Sequence, residues 1–215
     1  MEMSNAIMSY QTSAESAAAA PRKHMLWIDG VGSYLLCLGS RVTIGGPHSD
    51  GESADLTLLA NLSRKHATFV RGHEGYLLQA HSPVRVSGRM VDERTHLNDG
   101  YEIELGDSVR LRFRLPSVLS ATATLEFLSD HRPAQSVDAF VLMDETCLLG
   151  PGRENHIRCM DWSEPVLLYR NGTQFCCKSR SDMFVDGELS EAGHELHAGS
   201  TVTGLDLRFR FEPVN

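Results

Sequence analysis

From Met25 onward the chain is a succession of short apolar runs cut by Gly, Asp and Asn. Leu111, Phe113 and Leu115 alternate with Arg112 and Arg114. That period of two puts one face of a strand in a core and the other in water. LWIDGVGSYLLCL places Asp29-Gly30 between two β-prone runs, a hairpin signal. RVTI follows, then the turn-rich GGPHSDGESAD, then LTL, HATFV, YLLQ, VRV, EIEL and VRLRFRL. No window holds an apolar period of 3.6 over three turns. The pattern predicts an all-β chain of short antiparallel strands.

The pattern then starts again. LRFRLP at 111–116 is echoed by LRFRFEP at 207–213. Leu97-Asn98-Asp99-Gly100 is echoed by Leu196-His197-Ala198-Gly199, Val86-Ser87-Gly88 by Val185-Asp186-Gly187, and Ile44-Gly45 by Leu149-Gly150. Four landmarks recur in one order, and a period near 100 residues reads as tandem domains, not a solenoid. Each copy reads as an antiparallel β-sandwich. The expected division is a flexible tail at 1–22, one module at 23–118 and a second at 119–215, with LPSVLSATAT at the junction.

Composition narrows the function. The 215 residues are 41% hydrophobic and 22% charged, ordinary for a globular protein. A net charge of −8 argues against tracking a phosphate backbone, so nucleic acid is not an expected partner. No stretch approaches the roughly 18–20 apolar residues of a membrane helix, and the first residues lack a signal-peptide pattern. The expected setting is the cytoplasm, without membrane contact. Five cysteines at 37, 147, 159, 176 and 177 contain no C-x-x-C pair. His156-x-x-Cys159 and His194-x-x-His197 have no second pair to complete a tetrahedron, so neither disulfide, metal nor other cofactor is expected.

The chemistry gathers at LSRKHATF, where Ser63, Arg64, Lys65 and His66 open a strand. Ser63 and His66 as nucleophile and base would lack a G-x-S-x-G elbow and an orienting acid, so no catalytic residue and no enzyme is expected. GGPHSDG lacks the Gly-Lys-Ser/Thr ending of a nucleotide loop. Arg112, Arg114, Arg208 and Arg210 read as solvated faces opposite acidic neighbours such as Glu102 and Glu104.

IGG at 44–46, SRKH at 63–66, VSG at 86–88 and LNDGYEIELG at 97–106 together resemble the forkhead-associated (FHA) domain over about residues 25–116. The second copy resembles a degenerate FHA-like module. The resemblance implies tandem eleven-stranded sandwiches that read phosphothreonine peptides through loops at one end, without chemistry on the peptide. It implies phosphopeptide contacts from Ser63, Arg64, Gly45, Gly46, Arg85 and Ser87, with His66 bracing the loop. A hydroxyl, a guanidinium and loop N–H groups suit a dianionic phosphate.

Two departures stand out. The family's Arg is Gly46 here, and HSPVRVSGR lacks the family's Asn-Gly, leaving Ser82, Pro83 and Val84. Arg41, His48 or Arg85 would have to supply the missing cation. In the second copy Ser163 is followed by Glu164, which repels phosphate, so that module is expected to pack, dock or self-associate. The function implied is a bacterial adaptor in Ser/Thr-kinase signalling, its partner a phosphothreonine protein or the kinase itself. The alternative is a phosphorylation-independent scaffold with a decayed site. Thr12, in the tail, is a candidate phosphosite for docking onto the chain's own pocket.

Overall fold

The structure is a computed structural model and describes residues 22–48, 54–190 and 193–214. The tail through residue 21, including Thr12, and residues 49–53 of the GGPHSDG region lie outside the described residues. Among the described residues there is no helix. The first strands are β1 (Lys23–Ile28), β2 (Gly32–Cys37), β3 (Arg41–Gly45), β4 (Leu56–Thr57), β5 (Ala67–Gly72), β6 (Gly75–Ala80), β7 (Val84–Val86), β8 (Arg89–Met90), β9 (Arg94–Leu97), β10 (Glu102–Leu105) and β11 (Val109–Arg114). The second set is β12 (Ala123–Phe127), β13 (Ala139–Leu142), β14 (Thr146–Gly150), β15 (Ile157–Arg158), β16 (Val166–Asn171), β17 (Gln174–Lys178), β18 (Phe184–Val185), β19 (Glu188–Leu189), β20 (His194–Leu196), β21 (Thr201–Thr203) and β22 (Arg208–Val214).

The second set repeats the first, strand for strand. One five-stranded sheet runs β4-β3-β5-β6-β9 and another β15-β14-β16-β17-β20. Both pack on a single twelve-stranded sheet, β19-β18-β21-β22-β1-β2-β13-β12-β11-β10-β7-β8. Read from its two ends, that sheet has the same order twice.

The hairpins that open each copy are exchanged. β1 pairs with β22, Leu26 opposite Phe211, while β11 pairs with β12, Phe113 opposite Leu125. Residues 23–37, which the chain order groups with the first copy, thus complete the sheet of the second, and 123–142 complete the first. The repeats do not announce this, because β11 and β22 carry the same L-R-F-R face. Each exchanged hairpin joins the next strand of the chain through a three-residue connector, at 38–40 and 143–145. At the centre β2 and β13 run parallel, from Tyr34 opposite Ala139 to Cys37 opposite Leu142.

This centre explains a feature of the sequence. β1, β2 and β13 are near-continuous apolar runs because both of their faces are buried. Met25, Leu35, Cys37, Phe140 and Leu142 face one core, with Ile44, Phe69, Tyr76 and Phe113. Leu26, Ile28, Leu36, Val141 and Met143 face the other, with Cys147, Leu149, Trp162 and Phe209. β11, farther out, has one buried face and alternates. Its outer arginines are ion-paired: Arg112 with Glu102 at 3.3 Å, and Arg114 with Asp99 at 3.2 Å and Glu126 at 3.6 Å.

The crossing is tied by buried polar groups. The Tyr76 hydroxyl donates to the Ala121 carbonyl (2.7 Å), and Arg71 reaches the Met143 carbonyl and the Asp144 carboxylate, each at 3.1 Å. Ser33 N–H donates to Asp138 Oδ2 at 2.8 Å where the parallel pair begins. All five cysteines are buried and free. Burial pushes the thiols of Cys37, Cys159 and Cys177 up to about 12, which leaves them protonated and unreactive.

Two buried histidines give the second half a pH dependence. His24 stacks on Phe211 with centroids 4.8 Å apart, and burial, aided by Arg170, pushes it down to about 4. Burial alone lowers His156 to about 4. Both rings take up a proton more readily in the unfolded chain, whose value lies near 6.5. Their stabilising contribution is therefore complete above about pH 6.5 and is lost as pH falls toward 4. The urea midpoint is expected to drop across that window and to fall less steeply in His24→Phe.

Candidate functional site

The residues Ser63, Arg64, Lys65 and His66 sit at one end of the first sandwich, where the β3 end, the 61–66 turn and the 81–83 loop meet. Gly45 and Gly46 lie flat against that turn. The Gly46 N–H donates to the Ser63 carbonyl at 3.0 Å. A Cβ on Gly45 would overlap the Arg64 carbonyl, and one on Gly46 the Leu62 carbonyl. Glycine is thus required here for close backbone approach.

His66 is the keystone of the rim. It is 3% exposed. Its Nδ1 accepts from the Ser63 N–H at 3.3 Å, so Nε2 carries the proton and donates to the Pro83 carbonyl at 3.0 Å. Its backbone N–H donates to Ile44, and its carbonyl accepts from His81 and Ser82. One residue therefore fixes three segments relative to one another. Gly106 N–H adds a second donor to the Pro83 carbonyl at 3.0 Å.

On this base Ser82 Oγ donates to Ser63 Oγ at 2.7 Å. The Ser63 hydroxyl accepts that bond, which does not use its own O–H. Arg64 and Lys65 are exposed on the same turn. Together the rim presents two adjoining hydroxyls beside two cations.

The remaining residues singled out in the sequence lie elsewhere. Arg41 begins β3, at the end away from Gly45, and donates to Gln79 Oε1 at 2.7 Å. Arg85 stands outward on β7, opposite Glu104 and Met90. Ser87, with φ 48°, forms the β7–β8 turn at the end of β7 away from Pro83. It lines a separate hollow of about 660 Å³ with Arg89, Arg94 and Tyr101. His48 is exposed beside residues 49–53, which lie outside the described residues. The structure thus gathers Gly45, Gly46, Ser63 and His66, and adds Ser82, Pro83 and Gly106. Ser82 was legible only as a hydroxyl before a proline.

The second copy is arranged differently. Ser163 N–H donates to Asp206 Oδ2 at 2.7 Å, and the Ser163 hydroxyl, followed by that N–H, holds Asp206 below the usual carboxylate range. A carboxylate of the chain itself already occupies the donors that correspond to Ser63. Among the described residues, no cluster of three or more His, Cys, Asp or Glu is placed to hold a metal, and no helix is long and apolar enough to cross a membrane.

No protein-family model matches the chain, and no curated protein matches it. Among solved structures, the chain is similar to the FHA-2 domain of an ABC transporter from Mycobacterium tuberculosis. The identity is 20% and the TM-score 0.30, covering 53% of this chain and 87% of that one.

Proposed function

We propose that the chain is a non-catalytic adaptor whose first sandwich binds phosphothreonine segments at the Ser63–Ser82 rim. The observation that carries the reading is the paired hydroxyls, 2.7 Å apart, on loops clamped by buried His66 and flanked by Arg64. A phosphate oxygen would accept a hydrogen bond from the Ser63 hydroxyl, and Arg64 would add a charge-assisted bond. The partner would be a phosphothreonine protein of a Ser/Thr-kinase pathway, or the kinase, in a bacterial cytoplasm. The second sandwich, with Asp206 on Ser163, would supply a scaffold or self-association surface.

Anisotropy titrations with a phosphothreonine peptide library and its unphosphorylated twin test this. Phosphate-dependent binding is expected, and Ser63→Ala with Arg64→Ala should weaken it by about 100-fold or more, two charge-assisted bonds at roughly 1.5–3 kcal/mol each. Gly46, which leaves that position without a guanidinium, favours the second reading, a phosphorylation-independent scaffold. Binding indifferent to phosphate and to the double substitution would select it.

A further inference from the structure

The twelve-stranded sheet ends on β8 at one side and on β19 at the other. An edge strand offers unpaired N–H and C=O groups to a further strand. The two ends hold equivalent places in the repeat. Arg85 lies opposite Met90 and Val86 opposite Arg89 on one, Phe184 opposite Leu189 and Val185 opposite Glu188 on the other. Both carry an exposed apolar side chain at the same position, Met90 at 55% and Leu189 at 57%.

Their charges are opposite. Residues 85–97 hold Arg85, Arg89 and Arg94 against Asp92 and Glu93. Residues 184–196 hold Asp186, Glu188, Glu191 and Glu195 and neither Lys nor Arg. Each stretch has one histidine, His96 and His194. Among the described residues, Arg85, Arg89, Arg94 and Glu188 take part in no ion pair. Charge of either sign blunts an edge against aggregation. Opposite signs at the two ends of one sheet make those ends complementary instead.

The strand directions let the ends meet. From the parallel pair β2 and β13, the same number of antiparallel steps leads outward to β19 and to β8, so both edges run the same way. A second copy displaced along the sheet would set its β19 parallel to β8 of the first. The faces correspond as well. Leu35 and Leu36 face opposite cores, so the two five-stranded sheets cover opposite faces. The face that carries Val86 and Arg89 at one end therefore carries Phe184 and Leu189 at the other. On that face, beside β8, opens the hollow of about 660 Å³ lined by Val86, Arg89 and Tyr101. Leu189 of the neighbouring copy would sit at its mouth, and on the reverse face Glu188 would come beside Arg85 and Met90. Contacts between like ends would set arginine against arginine, or glutamate against glutamate.

We propose that the chain self-associates head to tail, β19 of one copy adding to β8 of the next. The contact repeats without closing, so copies line up in open chains. Edges of two residues each make it weak and concentration-dependent. It gives the self-association proposed above a definite surface, and rests on that part of the reading, not on phosphopeptide binding at the Ser63 rim.

Sedimentation velocity of the full chain over a concentration series at low salt tests this. The weight-average mass is expected to climb past the dimer without a plateau. Leu189→Asp should weaken association about tenfold or more, as should Arg85→Glu with Arg89→Glu, and Glu188→Arg. All four positions are exposed, so the fold should tolerate each change. Mixing the last two variants brings acidic ends to basic ends and should restore assembly in alternation. A phosphopeptide titration of the same Leu189→Asp protein reads the rim separately, so the two readings fail independently. A monomer at every concentration, a plateau at a closed dimer, assembly indifferent to these substitutions, or no recovery on mixing would each overturn the proposal.

Discussion

Replacing Leu26 with alanine is expected to loosen the half of the molecule farthest from it in sequence. Leu26 is fully buried in the core that contains Cys147, Leu149 and Phe209, and it pairs with Phe211. Truncating a buried leucine costs about 2–5 kcal/mol, through lost burial and the cavity left behind. Native-state hydrogen exchange should show the loss at 147–149, 166–168 and 209–211, while Val42 and Phe69 keep their protection. Phe140→Ala should do the reverse. Phe140 belongs to the core of Phe69 and Phe113, so about 3–5 kcal/mol should be lost from strands that precede it in the chain. If Leu26→Ala instead loosened 42–69 first, the hairpins would not be exchanged.

Gly45→Ala is the second large effect expected. The new Cβ would overlap the Arg64 carbonyl and lie 2.7 Å from that of Ser63. Both obstacles are backbone, so relief requires the 62–64 turn to move away from β3. Overpacking of this kind costs about 1–3 kcal/mol. The turn carries Ser63 and Arg64, so the displacement also separates Ser63 from Ser82 and from the Nδ1 of His66. Phosphopeptide affinity should fall even where the protein remains folded. Gly72→Ala is the control, because among the described residues the nearest atom its new Cβ would meet is the Gly75 carbonyl oxygen, at an ordinary 3.9 Å. Urea denaturation with a parallel peptide titration separates the two outcomes, and a Gly45→Ala protein matching the control in both would remove the close approach as a constraint.

How much of this was legible in the chain differs by element. The alternation in 109–115 told which face of β11 is buried, because the strand has one wet side. The Ser87-Gly88 and Asp186-Gly187 turns were readable as landmarks, since left-handed backbone selects such residues. The exchange was not readable. Pairing of β1 with β11 or with β22 satisfies the same alternation, and only the three-dimensional path of the connectors distinguishes them. The continuous apolar runs at 34–38 and 139–143 were the available hint, for two-sided burial is what such runs ordinarily mean. At the rim, Ser63 and His66 stood out by spacing, but Ser82 did not. Its role arises from a hydrogen bond across 19 positions. Arg41, Arg85 and Ser87 were drawn in by charge or motif, and the strand directions carry them away from Ser63.

The pairing of β1 with β22 also has a consequence for synthesis. β1 is synthesised before β22 and cannot close its sheet until β22 has been made. β11 emerges long before β22, offering the same arginine-lined edge. Nascent chains should therefore populate a premature β1–β11 pairing, and refolding after full release should show a slow phase in which that embrace is undone.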